Sequence, residues 1–114
     1  MNFSKFNIAV VIPSYRTESE ILSVLKGLPA FVRHIIVVDD ASPDASTSMV
    51  LAAAKKDKRI TLVRHEKNQG VGGAMITGFK TALTLGTDIV IKLDGDGQMD
   101  TQYIPALLLS LIHI

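Results

Sequence analysis

Ile89-Val90-Ile91-Lys92-Leu93-Asp94-Gly95-Asp96-Gly97-Gln98-Met99-Asp100 is a short apolar run that stops at two carboxylates spaced i, i+2. A carboxamide follows two residues on, and then a third carboxylate. Side chains alternate along an extended chain, so Asp94, Asp96 and Gln98 point the same way if the strand geometry persists briefly past its end. Three hard oxygen donors would then meet at the carboxyl edge of a sheet, where a divalent cation bound to phosphate can sit. A tandem Asp-Gly could also serve only as a turn. An EF-hand loop does not fit, because its glycine and glutamate positions, counted from Asp94, fall on Met99 and Pro105.

Working outward, the chain alternates apolar runs with helical patterns. Residues 8–12 form a β-branched run stopped by Pro13, the mark of a strand buried on both faces. Thr17 and Glu20 have capping-box spacing, and Ile21, Leu22, Val24, Leu25 and Leu28 follow at helical spacing up to Gly27 and Pro29. Residues 34–38 are a second buried strand ending at Asp39-Asp40. Ser42-Pro43 predicts a capped helix start, with the helix reaching about Lys56. Residues 60–64 predict a third strand, 68–73 a glycine-rich loop, 74–85 a third helix closed by Gly86, and 88–93 a fourth strand. This order predicts an α/β fold in three α/β/α layers around a parallel sheet.

Ligands of open parallel sheets bind outside the carboxyl ends of the strands. Four segments are predicted at that edge: Pro13-Ser14-Tyr15, Asp39-Asp40, the glycine-rich loop and Asp94-Gly95-Asp96. Tyr15 could stack on a base there. Asp39 and Asp40 could cap the second helix or accept hydrogen bonds from a nucleobase or ribose. Gly70, Gly72 and Gly73 allow close approach of backbone to phosphate, and they serve equally for helix–sheet packing. The loop lacks the Gly-Lys-Ser/Thr of a P-loop and the third glycine of a dinucleotide fingerprint, where Met75 stands. His34 and His65 lie at strand boundaries without ligand spacing and read as structural.

Composition sets outer limits. The 114 residues suit one domain or part of one, and 47% apolar content can bury a core. A net charge of +1 gives no electrostatic argument for nucleic acid. The absence of cysteine excludes disulfides and thiolate metal sites. No apolar run is long enough to span a bilayer, and the polar residues Asn2, Ser4, Lys5 and Asn7 do not suit a signal peptide.

These motifs, in this order, resemble the N-terminal half of a family 2 glycosyltransferase of the GT-A, Rossmann-like fold. The resemblance runs from Ala9 to about Leu108. It rests on Val11-Ile12-Pro13-Ser14-Tyr15, on Ile36 through Asp44, on Asn68-Gln69-Gly70-Val71-Gly72-Gly73-Ala74 and on Asp94 through Asp100. It is nearest to the dolichol-phosphate mannosyltransferase and polyprenyl-phosphate sugar transferase branch. It implies a UDP- or GDP-linked sugar donor, transfer with inversion, and an acceptor such as a polyprenyl phosphate or polysaccharide precursor. By the same resemblance Pro13, Tyr15 and Glu18 line the base and ribose, Asp39 reads the base with Asp40 beside it, and Asp94 and Asp96 hold Mg2+ or Mn2+ on the diphosphate. Gly95 and the three glycines belong to the nucleotide-sugar site, and Gln98 matches a further metal ligand. Thr101 departs from the proline common after the last aspartate. No acceptor-side catalytic residue is assigned. The implied setting is the cytoplasm or the cytoplasmic face of a membrane, with peripheral association of a longer parent protein.

Residues 1–108 are therefore expected to form the nucleotide-sugar-binding part. Leu109-Ser110-Leu111-Ile112-His113-Ile114 is expected to be a non-native tail, since a transposon-end sequencing adapter encodes these six residues in one frame. The 1–108 part alone is expected to be inactive. Two other readings carry different chemistry. A haloacid-dehalogenase-like phosphatase would use Asp94 as nucleophile and Asp96 as acid–base partner. A non-catalytic nucleotide-binding module would use the same edge without turnover.

Overall fold

The structure, a computed structural model, describes residues 5–94. Gly95, Asp96, Gln98, Asp100 and the 109–114 tail lie outside the described residues. The elements are β1 (Ile8–Ser14), α1 (Ile21–Lys26), β2 (His34–Asp39), α2 (Ser46–Lys56), β3 (Ile60–Arg64), α3 (Gly70–Thr84) and β4 (Ile89–Lys92). All pairings are parallel, in the order β3-β2-β1-β4.

The alternation of side chains along β1 and β2 divides the core into two layers. Ile8, Val10 and Ile12, with Ile35 and Val37, pack with Ile21, Val24, Leu25 and Val50 of α1 and α2. Ala9, Val11, Ile36 and Val38 pack with Ala74 and Ala82 of α3 on the opposite face. The expected three-layer α/β/α arrangement is thus present. Ile91 of β4 and Leu93 just after it join the α1–α2 layer while Val90 joins the α3 layer, so the alternation puts Lys92 and Asp94 on the α3 side of the sheet.

Small residues at Ala74, Gly78 and Ala82, four apart, bring α3 close to the sheet. A Cβ on Gly78 would stand 2.2 Å from Val11 Cγ1, well inside contact distance. Pro13 continues β1 despite lacking an N–H. The Leu93 N–H to Val11 C=O bond shows that this register of β1 faces β4, and β4 pairing has ended by Pro13.

Three expected boundaries shift, each for a local reason. The Thr17 hydroxyl bonds Ser14 and Ser46 rather than a helix N–H, and α1 starts at Ile21 with no side-chain cap. Ser42 and Pro43 precede α2, which begins at Ser46, whose N–H is taken by Asp44 Oδ1 at 3.0 Å. Gly70, Gly72 and Gly73 form the first turn of α3 instead of a loop. That turn is possible because Asp40 and Asn68 supply acceptors for its leading N–H groups.

Candidate functional site

Four of the sequence-predicted residues meet in one cleft at the carboxyl edge of the sheet. Pro13 stands near the end of β1 and Tyr15 follows that strand, Asp40 follows β2, and Asp94 lies just past β4. Ser14, Thr17, Val71 and Ala74 complete the walls of this cavity of about 160 Å³. Tyr15 is 45% exposed and lines the cleft. The Arg16 guanidinium lies 5.6 Å from the centroid of the Tyr15 ring, a cation–π distance. Arg16 adopts a left-handed φ of 54°, and its N–H donates to Ser42 Oγ at 2.9 Å.

Asp40 is 4% exposed and heavily hydrogen-bonded. Its Oδ1 accepts the Gln69 N–H at 2.8 Å, and its Oδ2 accepts the Gly70 N–H at 2.8 Å. His65 Nδ1 lies 2.8 Å from Oδ1. Burial pushes the Asp40 carboxyl upward, but the bonds from His65, Gln69 and Gly70 outweigh it and hold it below the usual range. Asp40 therefore carries its negative charge on the cleft wall at neutral pH.

Asp39 and Glu18 belong to a neighbouring network instead. Asp39, 1% exposed, accepts the Ser42 N–H at 2.8 Å and the Thr47 hydroxyl, and Arg64 Nε stands 3.7 Å away. Glu18 Oε2 accepts the Ala45 N–H at 3.1 Å, while Asp44 accepts the Glu18 N–H. Both carboxylates thus secure the entry to α2. Gly70 donates its N–H to Asp40 and to Asn68 Oδ1, and its φ of +79° favours glycine. Gly72 and Gly73 follow Val71 in the same turn and do not line the cleft.

The proposed metal ligands are all hard oxygen donors, which suits Mg2+ or Mn2+. Asp94 lines the cleft with its side chain 45% exposed, and its Oδ1 is 3.8 Å from Lys92 Nζ. Among the described residues its cationic neighbour is this flexible lysine, and a half-exposed carboxylate of this kind is accessible to a cation. Among the described residues no group of three or more His, Cys, Asp or Glu side chains could hold a metal ion. Asp96 and Gln98, the other two expected ligands, lie outside them.

Ser14 and Val71 lie in segments expected at this edge but were not singled out as site residues, and Thr17 and Ala74 were not expected there. Thr17 was masked by its capping-box spacing. Among the described residues no helix is long and apolar enough to cross a membrane.

Several known proteins are similar to this chain. A UDP-N-acetylglucosamine–dolichyl-phosphate N-acetylglucosaminyltransferase from Methanococcus voltae is 33% identical over 93% of this chain and 47% of its own length. An undecaprenyl-phosphate mannosyltransferase from Micrococcus luteus is 31% identical over 89% of this chain and 42% of its own. The chain thus spans about half the length of these relatives. The solved mannosyltransferase PcManGT from Pyrobaculum calidifontis, in complex with GDP-Man and Mn2+, superposes with a TM-score of 0.60 at 27% identity, covering 80% of this chain and 28% of that one. The family model described as Glycosyl transferase family 2 matches residues 9–113, and with the parallel sheet and its strand-end cleft this shows that the chain belongs to that family.

Proposed function

We propose that the cleft is the donor site of an inverting, metal-dependent glycosyltransferase that takes its sugar from a UDP- or GDP-linked donor. The observation that carries this reading is the meeting of Tyr15, Asp40 and Asp94, from three different strand ends, in one cavity. Tyr15 offers an aromatic face for the base. Asp40 offers a charged acceptor for an imide N–H or a ribose hydroxyl, with Pro13 shaping the wall between them. Asp94, with Asp96 and Gln98, would hold Mg2+ or Mn2+. When bound, the cation neutralises charge on the nucleoside diphosphate leaving group as a Lewis acid. Inversion follows if an acceptor oxygen attacks the anomeric carbon from the side opposite that leaving group.

The relatives' names support a polyprenyl phosphate as the acceptor of the whole protein. A lipid phosphate acceptor would place the reaction at a membrane surface, which we take to be the cytoplasmic face. The test is incubation of the intact protein with UDP-GlcNAc or GDP-mannose, a polyprenyl phosphate and Mn2+, followed by mass spectrometry of the lipid fraction. A glycosyl-phospholipid of inverted anomeric configuration is expected. Release of inorganic phosphate from simple phosphoesters, with no sugar transfer, would contradict the reading.

A further inference from the structure

His65 follows β3 at the same carboxyl edge as Tyr15 and Asp40, and it is 7% exposed. Its Nδ1 lies 2.8 Å from Asp40 Oδ1, and its Nε2 lies 2.7 Å from Thr77 Oγ1 on α3. An ionised carboxylate only accepts, so Nδ1 carries the proton, and in the neutral ring Nε2 accepts from the Thr77 hydroxyl. The ring thereby joins the ends of β2 and β3 to the second turn of α3. A carboxylate offers about four acceptor directions. His65, Gln69 and Gly70 occupy three on Asp40, leaving one for a donor that enters the cleft.

We propose that His65 is a positioning residue for donor binding, which fixes the Asp40 carboxylate so that its remaining acceptor direction serves the nucleoside. This rests on the reading of the cleft as a nucleotide site. The Gln69 and Gly70 N–H groups hold one oxygen of Asp40 each, and the imidazole adds a third donor, on Oδ1. Through Thr77 the same ring ties the carboxylate to α3, which supplies Val71 and Ala74 to the cleft wall.

The test combines two substitutions with a spectroscopic readout. His65→Asn keeps an amide donor near the Nδ1 position, whereas His65→Phe fills the space without a donor. Calorimetric titration of the intact protein with UDP and GDP in the presence of Mn2+ should show Asn within about threefold of wild type and Phe weaker by about tenfold or more. This difference should remain when the two variants melt at the same temperature. In the free wild-type protein, imidazole 15N shifts should show a protonated Nδ1. Unaltered binding by His65→Phe, equal weakening by both variants, or a bare Nδ1 overturns the proposal. If Phe fails to fold, Thr77→Val supplies the remaining arm and should release Nε2 and weaken binding. Unchanged binding and shifts in that variant also overturn it. Failure of the wild type to bind either nucleotide overturns the reading of the cleft itself.

Discussion

Asp40 and Gly70 are 30 residues apart and meet at 2.8 Å, where a carboxylate at the end of β2 accepts the N–H that opens α3. One side chain thus caps a helix and lines the cleft. Asp40→Ala would strand the Gln69 and Gly70 N–H groups and the His65 ring. The expected loss of stability is about 2–4 kcal/mol, read from urea unfolding. Asp40→Asn should lose less, because the amide oxygen still accepts one N–H.

Ala41, beside that carboxylate, holds a left-handed φ of 61°. An L-residue there costs about 1–2 kcal/mol, and glycine returns part of that gain through greater unfolded-state freedom. Ala41→Gly is therefore expected to stabilise the fold by about 0.5–1 kcal/mol and to raise its melting temperature.

The contact between α3 and the sheet leaves no room at Gly78, given the 2.2 Å approach to Val11 Cγ1. Gly78→Ala should destabilise by about 1–3 kcal/mol through overpacking. Val11→Ala should relieve part of that cost, so a double-mutant cycle is expected to show favourable coupling between the two substitutions.

Acid should loosen the entry to α2. Burial raises the Asp44 carboxyl, but the Ser42 and Ser46 hydroxyls and the Ser46 and Glu18 N–H groups outweigh it and bring it down to about 2. A carboxylate depressed in the folded state stabilises above its unfolded value, and that contribution is lost as pH falls through the folded value. Melting temperature should therefore fall between about pH 4 and about pH 2. Asp44→Asn should flatten this part of the profile and lower stability at neutral pH by about 1 kcal/mol after solvent screening.

The sheet was legible in the sequence because Ile8–Ile12 and Ile35–Val38 are too continuously apolar for anything but strands covered on both faces. The position of the site was legible for a related reason, since polar residues follow each strand. Helix starts were less so. Thr17, Ser42 and the glycines at 70, 72 and 73 follow familiar local patterns, yet long-range partners decide what each one does. Ser46 takes the Thr17 hydroxyl, Asp44 takes the α2 N-terminus, and Asp40 draws the glycines into α3. His65 was read as structural because no local spacing reveals that Asp40 and Thr77 converge on its ring.

The donor-site claim is tested most directly by calorimetric titration of the intact protein with UDP and GDP, with Mn2+ and after chelation. Binding of at least one nucleotide should weaken by about tenfold or more on chelation, and Asp94→Ala or Asp96→Ala should reproduce that loss in the presence of Mn2+. Equal affinity with and without the cation, or unchanged affinity in Asp94→Ala, would contradict the account.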